Sequence, residues 1–337
     1  MKRAVVAGHV CVDLVPELTR LAELTPGQLT DVGPLRIRPG GCVANTGCGL
    51  ASLGAPVRLA ADVGDDDLGR LVRHMLVASG ADLSGVLTVA GATSYSVVFD
   101  APGGDRSFYH HLGTNAQFDG SGIDLSGVDL LHLGYPTALP KLYADDGAHL
   151  VDLLSRARRC GVTTSVDLST VDPGSDAAAV DWQTVLTKAL PYVDVFTPSV
   201  DDLTALGPVA SGGEPVARTM GRSALGRGAG VVLLTDGPSG MYLFAADEKR
   251  LADAGRCFAG RAGWAEQELF VAAEAVPRAR TTGAGDAAAA GLIYGILTGV
   301  GPDTALRYAA AAAADVVRGR PLSARTLQGD ASPGVEQ

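Results

Sequence analysis

The chain has 337 residues, of which 47% are apolar, with 27 Lys and Arg against 37 Asp and Glu and a formal net charge of −10. That length holds one large α/β domain or two ordinary ones, and the apolar content supports a sizeable core, which excludes a disordered chain. The acidic balance, with no basic run, excludes a general nucleic-acid surface, because counterion release needs clustered cations.

The first residues, "MKRAVVAGHVCVDLVP", put two basic residues before an apolar run, but His9 and Asp13 interrupt it. We read Ala4 to Gly8 as a buried first strand rather than a leader. Cys11, Cys42, Cys48, Cys160 and Cys257 are odd in number and form no C-x-x-C pair, so neither a zinc site nor a disulfide framework is expected. The longest uncharged apolar stretch, Ala287 to Val300, is too short to span a bilayer. The expectation is a soluble, cytoplasmic protein with no membrane or nucleic-acid partner.

Further strands are predicted at Val57 to Ala61, Leu130 to Leu133, Thr163 to Val166, Asp194 to Thr197 and Val231 to Thr235. Helices are predicted at Val43 to Leu53, Asp67 to Gly80, Asp146 to Cys160, Trp182 to Leu190 and Val216 to Leu225, and from Asp286 to about Gly299. Apolar strands alternating with helices imply an α/β fold whose mostly parallel sheet is covered on both faces. Two segments break the alternation. Val15 to Gly40 carries Pro16, Pro26 and Pro34 and ends in an alternating "LRIRPG", and Ser94 to His111 reads as a hairpin around Pro102-Gly103-Gly104. Both fit a small β lid. His110 and His111 lie in that hairpin without metal-type spacing and read as surface histidines.

The chemistry concentrates in "TTGAGDAAAAGLIYG". A helix N-terminus offers unpaired N–H groups and partial positive charge, and Gly283, Ala284 and Gly285 carry no bulk to hold a phosphoryl group away from them. Asp286 stands beside that spot, where a carboxylate can accept a proton from an attacking hydroxyl. Local chemistry leaves a second reading open, an Asp that caps its own helix. In "RPGGCVANTGCG", Gly40 and Gly41 lead into a helix whose first polar side chain, Asn45, suits polyol hydroxyls; an ordinary loop-to-helix turn is the alternative. Asp13, after the first strand, either faces the ligand crevice or caps a turn. In "DVGDDDLG", Asp65 or Asp66 is expected to cap a helix rather than bind metal. The Walker P-loop, G-x-G-x-x-G and G-x-S-x-G patterns do not occur in the expected places.

The order of GG-x-x-x-N near residue 40, then "VGDDDLG", then "TTGAGD" resembles the ribokinase-like, or PfkB, family of carbohydrate kinases, from Val5 to about Ser323. The resemblance implies a ribokinase-like three-layer core (1–13, 41–90 and 115–325), a β-strand lid (14–40 and 91–114) and a flexible tail (326–337). It implies ATP- and Mg2+-dependent phosphorylation of a hydroxymethyl group. Asp286 would be the base, the Gly283, Ala284 and Gly285 amides the anion hole, and Asp13, Gly41 and Asn45 the sugar-binding groups. "LLTDGPSG" would bring Thr235, Gly237 and Gly240 near ATP, and small residues at Ala311 to Ala314 would line the adenine side. Family members often dimerise through their lids, so a homodimer is expected.

Departures from the family pattern carry information. The Asn-x-x-Glu near the metal and phosphates is here Ser199 to Asp202, which keeps a carboxylate able to act through water but loses the amide. Gly134 and Tyr135 stand where many ribokinases place a sugar-binding Glu, so ribose itself is disfavoured. Two rivals stay in view: a nucleoside kinase using Tyr95, Phe108 and Tyr109 as a base pocket, and a catalytically weak sensor. The family's Asp before Thr-x-Gly-Ala-Gly-Asp is replaced by Arg280, whose guanidinium supplies positive charge where other members hold potassium. Turnover is therefore expected to be the same in potassium, sodium and Tris buffers; a many-fold rise with potassium in a steady-state assay contradicts that role for Arg280.

Overall fold

The structure, a computed structural model, describes residues 1–18, 26–100, 107–207, 215–276 and 282–328. Among these residues, thirteen strands form two sheets. The large sheet contains β1 (Ala4–Gly8), β4 (Val57–Gly64), β5 (Asp82–Val89), β8 (Leu130–Gly134), β9 (Thr163–Asp167), β10 (Val195–Phe196), β11 (Val231–Thr235), β12 (Gly240–Ala245) and β13 (Glu268–Ala272). Its order is β13-β12-β11-β10-β9-β8-β1-β4-β5, parallel except where β12 runs antiparallel to β11 and β13. The lid sheet, ordered β3-β2-β6-β7, contains β2 (Cys11–Pro16), β3 (Leu35–Gly40), β6 (Tyr95–Phe99) and β7 (Ser107–His111).

Central strands are buried from both sides because successive side chains serve opposite faces. On β1, Val6 joins the cluster containing Leu59, Leu292 and Ile293, while its neighbour Val5 joins Leu131, Leu150 and Val185 on the other face. The first face is covered by helices Asp67–Val77, Ala284–Thr298 and Pro302–Val317, the second by Pro140–Arg159, Trp182–Ala189 and Val216–Gly226. The result is a three-layer core. The two C-terminal helices pack backbone to backbone, since a Cβ on Gly291 would lie 2.4 Å from the Tyr308 carbonyl oxygen.

Several expectations need correction. The lid sheet begins at Cys11 rather than at residue 14, because the first strand breaks at His9–Val10, where Asn115 holds both the N–H and the C=O of Val10. The predicted Val43–Leu53 helix opens as a π-helical turn, Val43–Gly47, before Cys48–Ser52 becomes α-helical. The Asp146–Cys160 helix is the second limb of Pro140–Arg159, interrupted where Asp145, Asp146 and Gly147 take left-handed backbone. Thr326–Gln328, expected in the tail, makes a 3-10 turn with Thr326 buried; 329–337 lie outside the described residues, as does the 101–106 turn between β6 and β7. Asp66 is the cap of its helix, accepting from Gly69 N–H at 2.7 Å. No helix among the described residues is long and apolar enough to cross a membrane.

The far half of the sheet is knotted by one buried ion. Asp194 is fully buried; Arg250 Nη1 donates to its Oδ1 at 2.9 Å and Thr164 N–H to its Oδ2 at 2.9 Å, with Arg158 3.9 Å away. Truncating such a group leaves guanidinium charge without its counterion. Asp194→Ala is expected to lower the unfolding free energy by about 3–5 kcal/mol in a denaturant titration; a change within ~0.5 kcal/mol, the size of a surface substitution, contradicts the assignment.

Candidate active site

β1 sits between β4 and β8, so the direction of strand succession reverses at the β1–β8 junction. In open α/β sheets, ligands bind outside the carboxyl ends of the strands at such a reversal. A cavity of about 2430 Å³ opens there, lined by residues at or just after strand ends: His9, Tyr135, Asp167, Thr197 and Thr235. The strand ends come unusually close. Gly8 has φ +120°, and a Cβ on it would lie 2.3 Å from the Gly134 carbonyl oxygen; a Cβ on Gly134 would lie 1.9 Å from Cys42 Sγ. The Gly134 that replaces the expected sugar-binding acid is thus required by the Cys42 side chain.

Asp286 lies in the first turn of Ala284–Thr298 and is 4% exposed. It does not cap its own helix. Instead Asn45 Nδ2 donates to its Oδ2 at 3.0 Å, Tyr135 OH donates to Oδ2 at 2.6 Å, and Thr46 Oγ1 donates to Oδ1 at 3.0 Å. Gly283, the N-cap, is left-handed (φ +78°), and no side chain caps the helix. First-turn amides have no intrahelical partners, so those of Ala284 and Gly285 are left for a ligand. A Cβ on Gly285 would meet nothing within 4 Å. Among the described residues, packing does not require glycine there.

At the lid end, Asp13, Gly41 and Asn45 all line the cavity. Asp13 is held by Arg38 across the β2–β3 pair (Nε to Oδ2, 3.4 Å) and accepts from Cys11 Sγ at 3.4 Å. Gly41 (φ +83°) admits no side chain, since a Cβ would lie 2.4 Å from His9 Nδ1. His110, read from sequence as a surface residue, lines the cavity as well as being exposed. Its Nε2 is 3.2 Å from His9 Nε2 and its Nδ1 is 2.9 Å from Ser96 Oγ, so a polar chain joins lid to core. Burial, reinforced by His110, holds His9 neutral down to about 3. Of the three aromatic residues considered for a base pocket, Phe108 lines the cavity; Tyr95 and Tyr109 point to the other face of the lid.

At the opposite end, Thr235, Gly237 and Gly240 line the cavity on the β11–β12 turn. Gly237 and Gly240 have positive φ (+48° and +127°), and a Cβ on Gly240 would lie 2.2 Å from the Val271 carbonyl oxygen. Ala311, Ala313 and Ala314 face the cavity, while Ala312 turns to the core, as helical periodicity requires. Ser199 and Asp202 form a capping box at the start of Val200–Ala205: Ser199 Oγ accepts Asp202 N–H at 2.9 Å, and Asp202 Oδ2 accepts from Ser199 N–H at 3.0 Å and Oγ at 2.6 Å. Arg280 lies outside the described residues.

Asp167 also lines the cavity, 5% exposed, and pattern reading missed it because it ends a short strand with no motif around it. Burial, then Asp286 and Asp202, push its carboxyl well above the ordinary range. Burial also raises Asp286, against the hydrogen bonds from Tyr135, Asn45 and Thr46. Of this pair, Asp286 is the member kept ionised, because three side-chain donors favour the carboxylate. Tyr135, Thr46, His9 and Ser96 were missed too; their roles come from distant strand ends and turns, which a local motif does not encode.

The fold agrees with comparison to known proteins. A fructokinase from Klebsiella pneumoniae is 26% identical over 93% of this chain and 93% of its own length. An ATP-dependent ribose-1-phosphate kinase from Halopiger xanaduensis is 32% identical over 54% of this chain and 60% of its own. The structure of Arabidopsis thaliana ribokinase complexed with ribose and ATP shares the fold, with a TM-score of 0.73 at 20% identity, covering 97% of this chain and 98% of that one. The pfkB family carbohydrate kinase pattern matches residues 1–324, and the chain belongs to that family.

Proposed function

We propose that this carbohydrate kinase transfers the γ-phosphate of ATP to a hydroxymethyl group of a sugar or sugar derivative, with Asp286 as general base. The observation that carries the reading is the pairing of unclaimed first-turn amides with a buried carboxylate held from the side by other residues. Asp13, Gly41 and Asn45 bind sugar hydroxyls at the lid end. Thr235, Gly237 and Gly240 face the nucleotide at the other, and the alanines of Pro302–Val317 lie against its base. The sugar oxygen attacks the γ-phosphorus, its proton passes to Asp286, and the β–γ bridging oxygen leaves with ADP. The Gly283, Ala284 and Gly285 amides meet the charge that spreads over the transferring group, so positioning and electrostatics carry the acceleration.

Oxygen donors suit a hard cation, and Asp202 keeps one oxygen outside its capping box for a hydrated Mg2+. Mg2+ supplies neutralisation of the β and γ phosphates. A sugar is favoured over a nucleoside because, of the three lid aromatics considered for a base pocket, only Phe108 lines the cavity.

The lid supplies a second surface, which we assign to a second copy of the chain. Cross-strand register sets Ile37, Leu14, Val97 and Tyr109 in one row, with Ile37 44% and Tyr109 54% exposed. Light scattering is expected to give twice the 34.3 kDa chain mass, and Ile37→Lys to give the monomer; a monomeric parent protein removes the assignment.

Asp286→Asn is expected to lower kcat by about 10²–10⁴-fold with ATP affinity nearly unchanged, because the base acts in the transition state. The measurement is initial velocity with ATP, Mg2+ and a panel of sugars and nucleosides. Full turnover in that variant rejects the base assignment, and ligand-induced thermal shifts with no phosphorylated product would favour a sensor.

A further inference from the structure

We propose that Tyr135 is a positioning residue for the transfer, its phenol holding Oδ2 of Asp286 and leaving Oδ1 to meet the substrate hydroxyl. The inference rests on Asp286 being the base. At 2.6 Å the Tyr135 contact is the shortest of the three that hold the carboxylate, in the range of a charge-assisted O–H···O⁻ bond. It shares Oδ2 with Asn45, whereas among the described residues Oδ1 carries only the Thr46 bond at hydrogen-bonding distance and so keeps a lone pair for an incoming hydroxyl.

The backbone is bent to make this contact. Tyr135 has φ +62° and ψ +47°, a left-handed conformation that a bulky aromatic residue adopts only under constraint. The constraint is visible on both sides of the residue. Its N–H donates to the Asp167 carbonyl at 3.1 Å, and its own carbonyl accepts from Ala138 N–H at 2.8 Å. Next to it, Gly134 is kept small by Cys42, and the Tyr135 ring lies against His9 with centroids 5.9 Å apart. A residue needed only to fill space would have no cause to leave the extended backbone at the end of β8.

The groups facing Asp286 are Tyr135 from the turn after β8, Cys42, Asn45 and Thr46 from the segment after the lid, Asp167 at the end of β9 and Asp202 on Val200–Ala205. Burial and Asp202 favour the protonated carboxyl, and the Tyr135 bond is the largest influence opposing them. Tyr135 itself is pushed well above its ordinary value by burial and then by Asp286, so it remains a donor throughout the working pH range. Removing the phenol O–H therefore raises the pH at which Asp286 loses its proton, and the base becomes competent only at higher pH.

The test is the pH dependence of kcat/KM for the sugar, measured on the full chain carrying Tyr135→Phe. The acid limb is expected to move upward by about one pH unit, with activity recovering above it and KM for ATP unchanged. Incorporation of 3-fluorotyrosine at position 135, a stronger donor of the same shape, is expected to move the limb downward. It also keeps the test open should the phenylalanine variant fold poorly. A uniform loss at every pH, or a limb that stays put in both variants, overturns the proposal. Asp286→Asn in the same assay separates the two claims. If that variant is dead while the limb stays put, the role of Tyr135 alone is lost; if it retains turnover, the base assignment falls first.

Discussion

The site is organised around one buried charge. An ionised carboxylate removed from water is costly unless hydrogen bonds replace the hydration, and Asp286 obtains three of them from two remote parts of the chain. Asn45 and Thr46 follow the lid; Tyr135 follows β8. Satisfying one acid therefore fixes the N-terminus of the Ala284–Thr298 helix against both the turn that follows β3 and the central strand end. It also frees the helix from being capped by that acid, which is why the amides beside it remain available.

Adjacent residues such as Asn45 and Thr46 diverge on an ordinary α-helix. Here both reach the same carboxylate from a π-helical turn, Val43–Gly47, whose wider winding brings successive side chains closer in direction. That turn tolerates little bulk. A Cβ on Gly47 would lie 2.4 Å from Leu59 Cδ2, and Gly41 is closed off by His9. The glycines around Asn45 are consequences of where Asn45 must stand. The electrostatics follow the same geometry: Asp167, with fewer donors, has its carboxyl pushed well above the ordinary range by burial and then by Asp286 and Asp202.

The architecture was legible in sequence wherever apolar periodicity is strong. β1, β8 and β11 were visible as short, mostly apolar runs, as strands buried on both faces tend to read, and β9 by the β-branched Thr163, Thr164 and Val166. β5 is half-exposed, and β12 and β13 return antiparallel at the sheet edge outside the strand–helix rhythm, so neither signal marked them. The glycine loop with Asp286 was legible because its chemistry is local. Asp167, Tyr135 and the His9–His110 contact were not, since each depends on which strand ends the topology sets side by side.

The Ser199–Asp202 departure reads differently once its geometry is known. Taken as sequence, the lost amide and the shortened acid suggest a decaying site. In the fold, Ser199 caps a helix and Asp202 answers it, so both residues have a structural task that an Asn–Glu pair need not perform. One oxygen of Asp202 is committed to that box, and a carboxylate on so short a stem, tied to its own helix, has little reach. A cation held beside it, as proposed above, would then take most of its coordination from phosphate oxygens and water, which would suit a metal that gives up its hydration reluctantly. On that proposal, the substitution would move work from protein to nucleotide without removing the charge that the work requires.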